Sequence, residues 1–207
     1  MVMFSDAVVA IALTLLVLPL VDIELPEGVE GGWEQLHHIW EADGSKIVSF
    51  FISWIAIIIF WLVHHRLFND IEKLNGGIVR FNIVWLLAIV FLPFPTNLIG
   101  QLENGIGDER AIVVLYLFDL FVISGSLLMV ALSAARDPEC LAEDVTPEDL
   151  KSPLRGYVNV GYLALLVIVA CFNAELALWG LIGIAFIGPI VDPYDERKAA
   201  ARHSVVV

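Results

Sequence analysis

Apolar stretches recur along the chain, separated by short polar ones. They cover roughly residues 4–21, 47–68, 78–98, 110–135, 154–172 and 175–191. Each approaches or exceeds the roughly 17–25 residues that an α-helix needs to cross a bilayer. The first polar gap carries Asp22, Glu24, Glu27, Glu30, Glu34, Glu41 and Asp43 against Lys46 alone. Within it, Pro26, Gly28, Gly31 and Gly32 predict a break in any long helix. Trp33, Leu36, His37 and Trp40 then follow at the i, i+3, i+4, i+7 spacing of a short amphipathic helix at the membrane surface. The later gaps are a polar turn at 70–77, a Gly-rich acidic loop at 101–109, a charged segment at 136–153 and a tight turn near 173. Thr146-Pro147-Glu148-Asp149 reads as the capped start of a short surface helix. The pattern predicts an all-α polytopic membrane protein with six transmembrane helices, forming one domain over residues 1–207, with a polar tail after Pro193.

Composition supports that reading. The chain has 207 residues, 59% of them hydrophobic, and a mean hydropathy of +0.84. That apolar share exceeds the usual value for soluble domains and leaves no room for a separate one. Positive charge is unevenly placed. Arg66, Lys73, Arg80, Arg136, Lys151, Arg155, Arg197, Lys198 and Arg202 fall on one side of the predicted spans, and only Lys46 and Arg110 on the other. The positive-inside rule then predicts that both termini are cytoplasmic, in a cell inner or plasma membrane. A net charge of −13 argues against nucleic acid or anionic lipid as partners. Cys140 and Cys171 read as ordinary small residues rather than a disulfide. With no Lys or Arg near the start, a cleaved signal peptide is not expected. No internal repeat is visible, so a symmetric pore would need several copies of the chain.

The polar residues inside the apolar stretches carry the candidate chemistry. The first stretch has two faces. At about 100° per residue, Ile11, Leu15 and Leu18 lie within about 40° of one line, with Thr14 at its edge, and Asp6 lies about 140° from Ile11. A charge in a membrane helix costs several kcal/mol unless it is partnered or wet. By depth, Ser5 and Asp6 share a level with Trp61, His64 and His65 of the second stretch, Asn82 of the third and Asn159 of the fifth. Ser5, Asp6, Trp61, His64 or His65, and Asn82 are therefore placed to satisfy one another as a single buried network. The alternative leaves the two histidines at the headgroup level. Adjacent histidines diverge by about 100° on a helix, which disfavours a metal site.

Phe4-Ser5-Asp6, followed by Val8, Ala10-Ile11-Ala12, Thr14-Leu15-Leu16 and Leu18, resembles the first helix of the transmembrane protein 175 family of endosomal and lysosomal potassium channels. Phe60-Trp61-x-x-His64-His65-x-x-Phe68 is similar to that family's second helix. The family signature opens with an Arg four residues before the Phe, a position that falls one place before Met1. The resemblance implies a six-helix subunit like the bacterial members and a structural role for Phe4, Ser5 and Asp6 as an anchor to helices 2 and 3. It also implies that Ile11 holds the constriction and that potassium is preferred over sodium.

Asp119, inside the fourth stretch, has two readings: a proton or ion relay, or an acid satisfied by a neighbouring helix. Enzyme signatures such as His-Glu-x-x-His, Gly-x-Ser-x-Gly or a Walker loop are absent from the sequence. So are a Thr-Val-Gly-Tyr-Gly-like carbonyl filter and an Arg-rich voltage-sensing helix. Taken with the family resemblance, which implies the preference for potassium, the reading is a homotetrameric, potassium-selective cation channel that is not an enzyme and has no cofactor or metal beyond permeating potassium. Ile11, Thr14, Leu15 and Leu18 would line the pore, and Asp22, Glu24, Glu27 and Glu30 would form an outer acidic vestibule that concentrates cations. The runner-up is a proton- or cation-coupled carrier using Asp119. Its usual mark, an internal repeat, is not seen.

Overall fold

Proline and glycine decide where these helices bend. A computed structural model describes residues 1–25, 28, 31–102, 109–143, 145–147, 150 and 154–184. The first apolar stretch forms α1 (Val2–Leu15) and a short α2 (Leu18–Val21) rather than one helix. Pro19 at the start of α2 cannot donate to the carbonyl four residues back, so the ladder tightens to Val17 N–H on Thr14 and then restarts. The third apolar stretch divides in the same way into α4 (Gly76–Phe91) and α5 (Pro93–Gly100), with Pro93 and Pro95 at the break.

The second apolar stretch departs most from the sequence reading. The expected short surface helix and the second span are one helix, α3 (Gly32–Asn69), 38 residues long. Gly31, at φ 119°, supplies the turn that starts it, a backbone region other residues rarely adopt. Gly44 does not stop the helix, because the Trp40 ring lies 3.5 Å from where its Cβ would be and covers that stretch of backbone. Asp43 and Lys46 form an i, i+3 ion pair at 2.6 Å. At 1.5 Å per residue α3 is about 57 Å long, nearly twice the roughly 30 Å hydrocarbon core, so its first turns project beyond the apolar region.

The fourth stretch is α6 (Arg110–Ala135), with the bounds read from sequence. A 3-10 turn at Pro138–Cys140 follows, and Ile71 and Leu141 form an isolated antiparallel bridge that ties the 69–76 turn to it. α7 is Leu154–Ala170. α8 is described over Ala174–Ile184, capped by the Asn173 side chain, which accepts from Leu176 N–H. The capped start read at Thr146–Asp149, the last residues of the sixth stretch and the tail lie partly or wholly outside the described residues.

Four segments are long and apolar enough to cross a membrane, Val2–Val21, Gly32–Asn69, Gly76–Gly100 and Arg110–Ala135, with α7 and α8 as shorter apolar helices. Among the described residues no strand occurs. The main core joins Val9, Ala12 and Leu16 of α1 with Ile57 and Phe60 of α3, Trp85 and Ile89 of α4, Leu117 and Ile123 of α6, and Leu163 of α7. A second core around Phe68, Ile78, Val130 and Ala134 closes the end near the Ile71–Leu141 bridge. Much of the outside is apolar, including Ile55, Leu62, Leu87, Leu165 and Trp179, as expected where the surrounding solvent is lipid. Close packing does not centre on Ser124-Gly125-Ser126, since a Cβ at Gly125 would meet nothing within 4 Å. It is needed at Gly100, where a Cβ would lie 2.9 Å from Lys46 Cα, and there Ser45 donates to the Gly100 carbonyl at 2.8 Å.

Candidate functional site

The buried side of α1 sets the geometry. Ser5, Val9, Ala12 and Leu16 recur at helical spacing and are 0–3% exposed, so this face is sealed against α3 and α4. The opposite side of α1 is open. Phe4, Ile11 and Leu18 are more than half exposed, Leu15 is 37% exposed, and Ala7, Ala10 and Thr14 lie on the same surface. Thr14 donates its hydroxyl proton to the Ile11 carbonyl at 2.7 Å. Its oxygen is thereby held outward with lone pairs free to accept or to face a cation.

At the N-terminal end of α1 the polar residues form two hydrogen-bonded chains, where the sequence suggested one. The first is fully buried. His64 Nε2 lies 2.9 Å from Asn82 Oδ1, Asn82 Nδ2 donates to Ser5 Oγ at 3.3 Å, and Ser5 donates to the Met1 carbonyl at 3.4 Å. With Oδ1 accepting, the imidazole carries its proton on Nε2, and the unpartnered Nδ1 is a bare lone pair rather than a stranded N–H. The ring is held between Trp85 and Phe68, with centroids 4.2 and 4.3 Å away. The second chain is half-buried. Asp6 Oδ1 accepts from Trp61 Nε1 at 2.8 Å and from His65 Nε2 at 2.9 Å, and the Trp61 and His65 rings meet edge to face. Asp6 bonds to neither His64 nor Asn82. The split follows from helical geometry: Ser5 and Asp6 diverge by about 100°, as do His64 and His65, so each adjacent pair sends one member to each chain.

Phe4 stays outside both chains, 65% exposed on the open face of α1. Asn159 also stands apart, donating to Ser124 Oγ on α6 at 3.2 Å. Asp22 and Glu24 are exposed just after α2. Glu27 and Glu30 lie outside the described residues. Among the described residues no set of three His, Cys, Asp or Glu side chains is placed to hold a metal.

The sequence reading missed a second polar cluster, toward the other end of the bundle. Ser53 of α3, Thr96 of α5 and Tyr116 of α6 are 0–4% exposed. The Thr96 and Ser53 hydroxyls are 2.8 Å apart, Ser53 and Tyr116 3.1 Å, and Thr96 also reaches the Leu92 carbonyl at 2.8 Å. The available signal was the recurrence of hydroxyls one helical turn apart in α3, at Ser45, Ser49 and Ser53. Asp119 lies one turn beyond Tyr116, 5% exposed, with Oδ2 unpartnered.

The family model for the endosomal/lysosomal potassium channel TMEM175 matches residues 1–93. A potassium channel of Streptomyces collinus is 30% identical over 131 residues, which make up 62% of this chain and 59% of that protein. A potassium channel of Chamaesiphon minutus is 34% identical over 102 residues, 47% of each chain. The endosomal/lysosomal proton channel TMEM175 of Danio rerio is 29% identical over 129 residues, 56% of this chain and 24% of that protein. The match thus spans about half the length of these bacterial relatives, and about a quarter of the vertebrate one. The crystal structure of a lysosomal potassium-selective channel TMEM175 homolog from Chamaesiphon minutus superposes with a TM-score of 0.73, covering 90% of this chain and 94% of that one at 21% identity. That likeness speaks for the fold. The sequence match runs through α1, α3 and α4, which supply every side chain of the two hydrogen-bonded chains. Over residues 1–93 this multi-pass membrane protein is similar to the endosomal/lysosomal potassium channel TMEM175 family.

Proposed function

We propose that the chain is the subunit of a homotetrameric, potassium-preferring cation channel whose pore is lined by the open face of α1. The observation that carries this reading is the division of α1 itself. One face is sealed into the subunit by Ser5, Val9, Ala12 and Leu16, while Ile11, Thr14, Leu15 and Leu18 stay uncovered. Four copies meeting on that face would stack rings of branched apolar side chains, which can close a pore by excluding water. Ile11 would be the narrowest ring and Thr14 a hydroxyl layer beside it. The names of the bacterial relatives support potassium as the permeant ion. No carbonyl filter and no cofactor enter this scheme.

The two hydrogen-bonded chains would serve as structure, fixing the rotation of α1 so that Ile11 faces the axis. Asp22, Glu24, Glu27 and Glu30 would form the outer vestibule. The whole chain would be one domain of six spans with both termini cytoplasmic, in the cell inner or plasma membrane. On that orientation Cys171, exposed between α7 and α8, lies outside, and a membrane-impermeant maleimide should label it on intact cells. Cys140 should resist, being buried, with its thiol pushed up by that burial and by its contact with Asp137. A carrier built on Asp119 has less support, since α6 has no substantial contact with α1.

The deciding experiment is ion flux from liposomes holding the purified protein. Passive potassium efflux exceeding sodium efflux is expected. Ile11→Asn should raise total flux and reduce the preference, because a polar ring retains water. An unchanged preference in that variant would remove Ile11 from the constriction.

A further inference from the structure

Asp119 has no part in the channel scheme above. α6 brings it about 13 Å inward from Arg110, at 1.5 Å per residue, and its Oδ2 is buried without a hydrogen-bond partner. An isolated carboxylate is not tolerated in a dry apolar interior. It must hold a proton or a cation, or reach one readily. Tyr116 lies one turn away on the same helix. Among the described residues, neither α3, α4, α5 nor α7 turns a charged or titratable side chain toward it: α3 contributes Ser53 and α5 contributes Thr96 to the neighbouring cluster. Thr96 also lines a cavity of about 10 Å³ between the α1–α2 junction, α3 and α5, bounded by Leu16, Pro19, Lys46, Ser49 and Asn97. That volume admits about one water molecule, and the lining offers it polar partners. The charged group there, Lys46, is paired with Asp43.

We propose that Asp119 is a proton-binding site, reached from the Gly100 end of the bundle through the hydroxyl chain Thr96–Ser53–Tyr116. A proton arriving from water in the cavity bonds to the Thr96 oxygen, which releases its own proton to Ser53. Ser53 passes its proton to Tyr116, and Tyr116 passes its proton to Asp119 Oδ2. Each hydroxyl gains one O–H bond and loses another, the carboxylate becomes a carboxylic acid, and rotation of the three hydroxyls resets the path. The last transfer needs the Tyr116 hydroxyl to swing from Ser53 toward the side chain one turn along its own helix, a distance that i, i+3 neighbours span. The inference rests on the orientation proposed above only for which solution the Gly100 end faces.

The test is difference infrared spectroscopy of the full-length protein in liposomes after a pH jump, following the carboxylic acid C=O stretch, with potassium flux measured on the same preparation. A protonated-carboxyl band that rises on acidification and is missing in Asp119→Asn is expected. Tyr116→Phe and Ser53→Ala should keep the band at equilibrium and slow its appearance about tenfold, the rate equivalent of one lost hydrogen bond in the path. Should Asp119→Asn fail to fold, those two variants still decide the matter through rate alone. A band that ignores pH, one that vanishes with potassium rather than with alkali, or one that appears equally fast in all variants would overturn the proposal. Flux without a responsive band would leave the channel reading standing and remove this one. A responsive band without flux would do the reverse.

Discussion

The two ends of the helix bundle handle buried polar groups differently. At the Ser5 end, groups from α1, α3 and α4 are partners of one another, and two hydrogen-bonded chains tie α1 down. At the Gly100 end, the cluster of Ser53, Thr96 and Tyr116 joins α3, α5 and α6 and leaves α1 out. There the helix breaks at Leu16–Val17, between α1 and α2, and Leu16 and Pro19 border a small cavity. The proposed pore helix is therefore clamped at one end and held only by apolar packing at the other. Any adjustment of pore width would cost least near Leu18.

Breaking the clamp should produce the largest effect. Asn82→Ala removes the centre of the fully buried chain, strands His64 Nε2 and leaves Ser5 Oγ with only its bond to the Met1 carbonyl. One orphaned group costs about 1–3 kcal/mol and one lost hydrogen bond about 1 kcal/mol, so a loss of roughly 2–4 kcal/mol is expected. Thermal melting of the detergent-solubilised protein would measure it. A variant that melts like the parent would mean that the chain does not hold α1.

The half-buried chain should matter less and on its own account. Asp6→Ala should lower stability by about 1 kcal/mol, since its partners remain within reach of water. A double-mutant cycle sharpens the comparison. Asp6→Ala with Trp61→Phe should be clearly less than additive, because both remove one bond. Asp6→Ala with Asn82→Ala should add to within about 0.5 kcal/mol, as expected for independent sites. Strong coupling in the second pair would restore the single-network reading of the sequence.

At the other end, Thr96→Val should cost about 1 kcal/mol and leave the clamp intact. It strands Ser53 only partly, because Tyr116 stays within hydrogen-bond distance. The informative comparison is flux rather than melting. If the unclamped end sets pore width, Thr96→Val should alter conductance at equal protein yield, whereas Asp6→Ala should act chiefly through yield.

These contrasts also show which features the sequence made legible. α6 was legible because no proline interrupts its run between the charged segments at 101–110 and 136–153. The faces of α1 were legible because helical period alone separates Ile11 from Asp6. Two kinds of information were not. Pro19 and Pro93 mark places where a helix can break, but whether the flanking segments continue in line depends on the packing around them. The stretch from Gly32 to Lys46 read as a short surface helix separate from the second span, yet Trp40 covers Gly44 and one helix runs through both. Partner choice was the other gap. Depth along the helices put Ser5, Asp6, His64, His65 and Asn82 at one level, while their rotation about each axis divides them into two chains.

The smallest expected effect concerns the mouth beyond the unclamped end. Asp22 and Glu24 are exposed where α2 gives way to the acidic segment, with Glu27 and Glu30 following in sequence. Exposed charges act on a permeant ion through solvent, over a Debye length of about 10 Å at 0.1 M salt and about 3 Å at 1 M. Neutralising Asp22 and Glu24 to Asn and Gln should therefore lower single-channel conductance at low salt, perturb stability by less than about 0.5 kcal/mol, and have little effect near 1 M. The two ends then separate cleanly, because clamp variants should lose protein at any salt, whereas vestibule variants should lose current only when screening is weak. An equal loss of conductance at both salt levels would instead mean that a carboxylate touches the ion directly. The vestibule would then be a binding site rather than a source of field.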